Sequence, residues 1–161
     1  MPVKQKITNC LWFDGNAEEA IAFYTAIFAD SKVLKLTRYG KAGPGPEGSV
    51  MTGLFQLAGQ EFIALNGGPM FKFTEAMSLT VNCETQEEVD HFWSRLTADG
   101  GGEGPCGWLK DRFGVSWQIV PVALVEMLSD GDAERAQRVM QAMLQMKKID
   151  IAGLRRAYDR A

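Results

Sequence analysis

Ile7-Thr8-Asn9-Cys10-Leu11-Trp12-Phe13 leads into Glu18-Glu19 and then the aromatic pair Phe23-Tyr24. The same order returns as Met77-Ser78-Leu79-Thr80-Val81-Asn82, then Glu87-Glu88, then Phe92-Trp93. The ends of the two stretches also correspond, Gly59-Gln60-Glu61-Phe62-Ile63-Ala64-Leu65 against Gly114-Val115-Ser116-Trp117-Gln118-Ile119-Val120. A repeat of this length marks two copies of one supersecondary unit. Each copy reads as a strand, a helix, and then two or three strands. Two units that each curl a small sheet around a helix are expected to enclose a shared pocket.

Working outward, residues 6–13 carry β-favouring residues and predict a strand. Asn16 is the expected helix cap, with Glu18 and Glu19 at the positive end of the helix. Ala20, Phe23, Tyr24, Ile27 and Phe28 fall at helical spacing through about residue 29. Val33 to Tyr39 predicts a second strand, and Gly40 to Gly48, with two prolines, a loop. Ser49 to Leu57 and Glu61 to Asn66 predict a hairpin turning at Ala58-Gly59-Gln60. In the second copy, Ala76 to Asn82 predicts a strand. Thr85 with Glu88 three residues on forms a capping-box pattern. Val89, Phe92, Trp93 and Leu96 make the apolar face of that helix. Cys106 to Lys110 and Ser116 to Val120 predict the last strands. After Pro121 the pattern changes to helices at Val122 to Leu128, Asp132 to Met146 and Ile151 to Tyr158. The second of these carries an apolar stripe of Val139, Met140, Met143 and Leu144.

Composition narrows the classes. The chain has 161 residues, 46% of them hydrophobic and 23% charged, enough for a packed core. A net charge of -3 argues against a nucleic-acid surface, which would be basic. Lys147, Lys148, Arg155, Arg156 and Arg160 read as solvated helix faces. No apolar run approaches the roughly 20 residues of a membrane span. The N-terminal lysines are followed by no apolar stretch, so no secretory signal is expected. Three cysteines without CxxC spacing then predict reduced thiols in a cytoplasmic protein.

Several strings have chemical readings. Gly100-Gly101-Gly102-Glu103-Gly104 matches GxGxG, but a phosphate loop needs a strand before it and a helix after it. Here a helix precedes and strands follow, which predicts a helix stop and turn. The single His, His91, lies inside the second helix beside Phe92-Trp93, where a helix-surface or packed role fits better than a triad. Cys106, between Pro105 and Gly107 and near Lys110 and Arg112, is the one candidate nucleophile, through cations that favour a thiolate. Trp12, Phe13, Trp108 and Trp117 sit on predicted strands, so alternation sends one of each neighbouring pair to the open face. An apolar concave surface with a few polar groups is the general form of a small-molecule site.

Leu11 to Ala20, Phe23-Tyr24, Leu65-Asn66-Gly67-Gly68-Pro69 and above all Cys106 to Gln118 make the chain resemble the vicinal oxygen chelate superfamily. That group includes glyoxalase I, bleomycin-resistance proteins and extradiol dioxygenases. Within it, the chain is similar to the PhnB-like branch, whose domain often carries the label 3-demethylubiquinone methyltransferase. The resemblance covers about residues 6–122. It implies an α+β fold of two βαβββ modules, 1–69 and 70–122, forming a cupped mixed sheet, here followed by a helical extension over 123–161. Metal-using members place a His on the first strand, a His on the first strand of the second module, and a Glu on the last strand. The matching positions hold Asn9, the His-free stretch Ala76 to Ser78, and Gln118. Asn and Gln carbonyls are weak neutral ligands where a transition metal prefers imidazole and carboxylate. Glu61 or Glu47 could add a ligand, but the set stays poor. The methyltransferase label finds no support either, since such enzymes carry a glycine loop after the first strand of a doubly wound sheet.

The resulting expectation is a small-molecule binding protein of the glyoxalase/bleomycin-resistance type with no metal site and no cofactor. Asn9, Asn66 and Gln118 would offer neutral hydrogen bonds, Trp108 a stacking surface and Leu11 an apolar contact, with Cys106 as the catalytic candidate if there is one. The ligand would be a small organic molecule. The alternative is a metal-dependent lyase, isomerase or dioxygenase of the same superfamily. The tail and the family both imply a homodimer. No nucleic-acid or membrane partner is expected.

Overall fold

A computed structural model describes residues 4–160 of the chain. The chain divides into two compact units, the first ending at Lys72 and the second beginning at Phe73. The second unit therefore includes the helical extension. No helix among the described residues is long and apolar enough to cross a membrane.

The first unit runs β1 (Asn9–Phe13), α1 (Ala17–Ile27), β2 (Lys32–Arg38), β3 (Val50–Leu57) and β4 (Gln60–Asn66). Its four-stranded sheet has the order β1-β4-β3-β2. β1 and β4 are parallel, while β4, β3 and β2 are joined by antiparallel pairing. The first and last stretches of the repeated unit thus pair as neighbouring parallel strands, Leu11 opposite Ala64 and Phe13 opposite Asn66. One sheet face is covered by α1. Tyr24 of the helix stacks on Phe55, and Phe55 stacks on Phe62. Both Tyr24 and Phe55 are fully buried. Burying side chains of this size contributes about 1.5–3 kcal/mol each, which is what holds the helix on its sheet. Gly53 allows the close approach, because a Cβ there would lie 2.3 Å from Ile21 Cδ1.

The cap of α1 differs from the expectation. Asn16 makes no side-chain cap hydrogen bond. Instead the Ala17 amide donates to Asn66 Oδ1 at 2.9 Å, from the far end of β4. Asn16 is held at φ -112°, ψ 24°, outside the extended conformation typical of a cap.

The second unit repeats the plan with β5 (Ser78–Cys83), α2 (Gln86–Leu96), β6 (Gly102–Glu103), β7 (Trp108–Lys110) and β8 (Ser116–Pro121). Its sheet order, β5-β8-β7-β6, matches the first, again with a parallel pair, β5 and β8. Thr85 caps α2 as the sequence predicts, accepting from the Glu88 amide at 3.2 Å. Val89, Trp93 and Leu96 of α2 are buried, as are Leu109, Trp117 and Ile119 on the sheet face it covers. Trp93 and Tyr24, the second members of the two repeated aromatic pairs, are both core residues.

Two further details depart from the expected elements. The Gly100–Gly104 string ends a helical turn, as predicted, but Gly102 and Glu103 then pair with β7 as a short edge strand. β7 starts at Trp108 rather than Cys106. Cys106 (φ 58°) and Gly107 (φ 84°) occupy left-handed conformations that a strand does not accommodate.

The extension forms α3 (Val122–Leu128), α4 (Ala133–Met143) and α5 (Ile151–Asp159). Leu124, Val139, Ile149 and Leu154 make its buried core, with Met143 and Met146 packed against it. The expected stripe of α4 splits, since Met140 and Leu144 face outward. The segment before α5 is pinned to the second module. Cys106 N and Gly107 N donate to Met146 O and Lys147 O, both at 2.8 Å. Gln86 donates to Ile149 O at 3.0 Å and accepts from Ile151 N at 2.8 Å. Lys148 pairs with Asp90 at 2.7 Å.

Candidate functional site

The second sheet has one face under α2 and one open. Partners in register share a face, and successive residues alternate. Leu109, Trp117 and Ile119 belong to the α2 face. The open face then carries two adjacent cross-strand rows. In one, Thr80 of β5 stands opposite Gln118 of β8, and Gln118 opposite Trp108 of β7. In the other, Ser78 is opposite Ser116, Ser116 opposite Lys110, and Lys110 opposite Gly102. The sequence expectation for Trp108 and Gln118 included no contact between them. The register makes them direct neighbours.

A pocket of about 420 Å³ lies along this edge, lined by Trp108, Lys110, Ser116, Pro105, Gly102, Gly104 and Glu75 among others. Gly102 leaves it open, since a Cβ there would meet nothing within 4 Å, whereas Gly104 packs on the main chain of Trp108. Gln118 Nε2 donates to Ser78 Oγ at 3.0 Å, which fixes the amide on the open face and leaves its carbonyl oxygen as acceptor. Ser116 is 1% exposed, and its Oγ has no hydrogen-bond partner among the described residues. Lys110 forms an ion pair with Glu75. The Lys110 hydrogen bond holds the Glu75 carboxyl below its ordinary range.

Sequence reading missed Lys110, Ser116 and Gly102. Alternation carries the signal for the first two, since Lys110 shares a face with Trp108 and Ser116 with Gln118. The site is supported from beneath by Asp111, 3% exposed. Its carboxylate accepts from Phe113 N at 2.9 Å, Val115 N at 3.1 Å and Trp117 Nε1 at 2.9 Å. Those donors satisfy a buried charge and fix the turn between β7 and β8.

The other expected site residues have structural surroundings. Leu11 is 6% exposed and lies on the α1 face beside Ala64, so it is a core residue rather than a pocket contact. Asn9, opposite Phe62, falls on the same face. Asn66 caps α1, donates to Val50 O at 3.1 Å through Nδ2, and accepts from Tyr39 Oη through its main-chain oxygen at 2.5 Å. It also lines a second cleft, of about 510 Å³, with Asp14, Glu18, Arg38 and Tyr39. The Tyr39 ring is sandwiched there by the glycine loop: a Cβ at Gly43 or Gly45 would come within 2.7 or 2.4 Å of it. Cys106 is half-buried, and its main chain serves to dock the tail.

The residues do not fit the metal centre implied by the superfamily. Asn9 faces the helix side of its sheet, the Gln118 amide nitrogen is committed to Ser78, and Ser78 itself is that bond's acceptor. Among the described residues no group of three His, Cys, Asp or Glu side chains converges as a metal site would require.

Comparison with known proteins gives a consistent family. The profile of the family described as 3-demethylubiquinone-9 3-methyltransferase matches residues 5–120. A PhnB protein of Bacillus cereus, described as a 3-demethylubiquinone-9 3-methyltransferase, is 42% identical, covers 73% of this chain and 100% of its own, and superposes with a TM-score of 0.65. Protein PA1353 of Pseudomonas aeruginosa is 20% identical over 73% of this chain and 98% of its own, with a TM-score of 0.60. The fosfomycin resistance protein FosX of Listeria monocytogenes, solved with Mn(II) and sulfate, is 17% identical over 73% of this chain and 92% of its own, at 0.54. The last two show likeness of fold alone. The comparison with curated proteins gave no match.

Proposed function

From the premise that the chain belongs to the PhnB-like family described as 3-demethylubiquinone-9 3-methyltransferase, within the vicinal oxygen chelate fold, we propose that it binds a small organic molecule on the open face of its second sheet. The observation that carries this reading is the pair of cross-strand rows in which the Trp108 indole, the Lys110 ammonium and the Ser116 hydroxyl line one pocket, with the Gln118 amide next to Trp108 in register. A flat molecule would stack on Trp108, with the Gln118 carbonyl oxygen and the Ser116 hydroxyl as its polar contacts. Of the residues expected from the sequence, Trp108 and Gln118 carry the proposal. Asn9, Leu11 and Asn66 are read as framework.

Methyl transfer is not part of this reading. Each repeated βαβββ stretch packs one helix on a mixed four-stranded sheet, without the parallel doubly wound sheet and glycine loop that bind a nucleotide-like methyl donor. The metal-dependent lyase, isomerase or dioxygenase remains the competing proposal, and the donor set described above speaks against it.

Native mass spectrometry on gently purified protein tests the choice. A retained organic molecule, lost in Trp108→Ala, is expected. A stoichiometric transition metal without any organic ligand would overturn the proposal in favour of the enzyme. The homodimer is proposed on the exposed Val122 and Val125 of α3, Met140 of α4 and Leu144 just after α4. A monomer mass by light scattering would overturn it.

A further inference from the structure

Resting on the reading that the open face of the second sheet binds a small molecule, we propose that the site is selective for a small organic anion. A flat apolar body lies against Trp108, and its carboxylate takes the place of Glu75 on Lys110.

Lys110 is the one cation among the residues lining the pocket. Glu103 also lines it, but Glu103 is in register with Leu109, whose side chain belongs to the α2 face. The ion pair to Lys110 comes from Glu75 instead. Glu75 is thus the acid that answers Lys110, and it does so from the segment preceding β5 rather than from the sheet. Both side chains are more than half exposed, at 51% and 59%. Exposed ion pairs of this kind add little stability. Exchanging Glu75 for a ligand carboxylate therefore loses little, and the exchange adds apolar contact with the indole.

Ser116 gives the second, independent indication. It is the cross-strand partner of Lys110, it lines the same pocket, and its buried Oγ has no partner among the described residues. A buried hydroxyl without a partner is unfavourable unless a ligand or water supplies one. A carboxylate, which accepts at two oxygens, suits an ammonium and a hydroxyl held on adjacent strands. Gly102 completes the row with no side chain at all, leaving room beside Lys110 for the body of the ligand.

The test uses the full chain labelled with ¹⁵N, following the Trp108 indole N–H resonance, which Trp108→Phe assigns. Benzoate and its neutral isostere benzamide are the probes. Benzoate is expected to bind about two- to fivefold more tightly than benzamide, the scale of an ion pair at a half-exposed lysine. Lys110→Met should erase that preference, and Glu75→Gln should tighten benzoate about two- to fivefold by freeing Lys110. Gly102→Leu, which grows into open space, should weaken both probes alike. Equal affinities for the two probes, or a preference that survives Lys110→Met, would overturn anion selectivity and leave the binding site standing. A Trp108 resonance that neither probe moves would overturn the binding site as well.

Discussion

Asn66 Oδ1 accepts the Ala17 amide hydrogen at 2.9 Å, so the last strand of the first module caps the helix that follows the first. The same side chain donates to Val50 O at 3.1 Å, tying β4 to the start of β3. One amide therefore satisfies a helix end and a strand end together. Asn66→Ala removes both bonds and is expected to destabilise the protein by about 1–2 kcal/mol. Asn66→Asp keeps the cap but sets an acceptor against the Val50 carbonyl, so it should lose at least as much. Urea denaturation of the three proteins checks the order, and equal stability of Asn66→Ala and the parent would contradict it.

Asp111 is the buried charge on which the β7–β8 turn depends. Asn at this position substitutes an N–H₂ for one of two oxygens that accept from three N–H groups. At least one donor then faces another donor. The expected loss for Asp111→Asn is about 2–4 kcal/mol. The Trp117 indole N–H resonance should shift with it, because that group loses or weakens its acceptor. Thermal unfolding together with that resonance separates this outcome from a merely local change.

Cys83 and Cys10 differ in reactivity in a way that follows from position. Burial, with Glu88 nearby, pushes the Cys83 thiol up to about 12. Its thiolate fraction at pH 8 is then about 10⁻⁴. Cys10 is exposed on the open face of the first sheet. Iodoacetamide at pH 8 is expected to modify Cys10 in the folded protein and Cys83 only after unfolding. Peptide mapping after a timed quench reads the order directly. Early modification of Cys83 would mean that β5 opens far more readily than its burial implies.

Acid should loosen the tail. Hydrogen bonds from Lys148 and Gln86 hold the Asp90 carboxyl below its ordinary range, and the Tyr158 hydroxyl does the same for Asp130. A carboxyl depressed in the folded state contributes its stability above the unfolded value, about 3.9 for Asp, and loses it as pH falls through the lower folded value. Both groups are solvent-exposed, so the effect on global stability is small. Its local consequence is a modest loosening of residues 144–151 below about pH 4, with Ile149 and Leu154 still buried. Hydrogen exchange at Ile151 N, which donates to Gln86 Oε1, should accelerate there before exchange in β8 does. Asp90→Asn should show the faster exchange already at neutral pH.

The sequence determined the repeat, and with it most of the fold. Phe23-Tyr24 and Phe92-Trp93 fall at helical spacing behind acidic starts, and the periods of the flanking strands are local properties that need no partner to be read. The Thr85 cap was equally legible, because its acceptor and donor lie three residues apart. Tertiary structure decided whatever depended on residues distant in the chain. Asn16 loses the cap to Asn66 because the parallel pairing of β1 with β4 delivers a second amide to the same helix end. Gly102-Glu103 become an edge strand because Trp108–Lys110 offers open hydrogen-bonding groups, although two residues have no strand signal of their own. The candidate site divides the same way. Trp108 and Gln118 stood out as residue types. Their adjacency, and the recruitment of Lys110, Ser116 and Gly102 into the same face, came from the antiparallel register of β7, fixed by the Asp111 turn. A shift of one residue in β7 would have put Trp108 and Lys110 on the helix side.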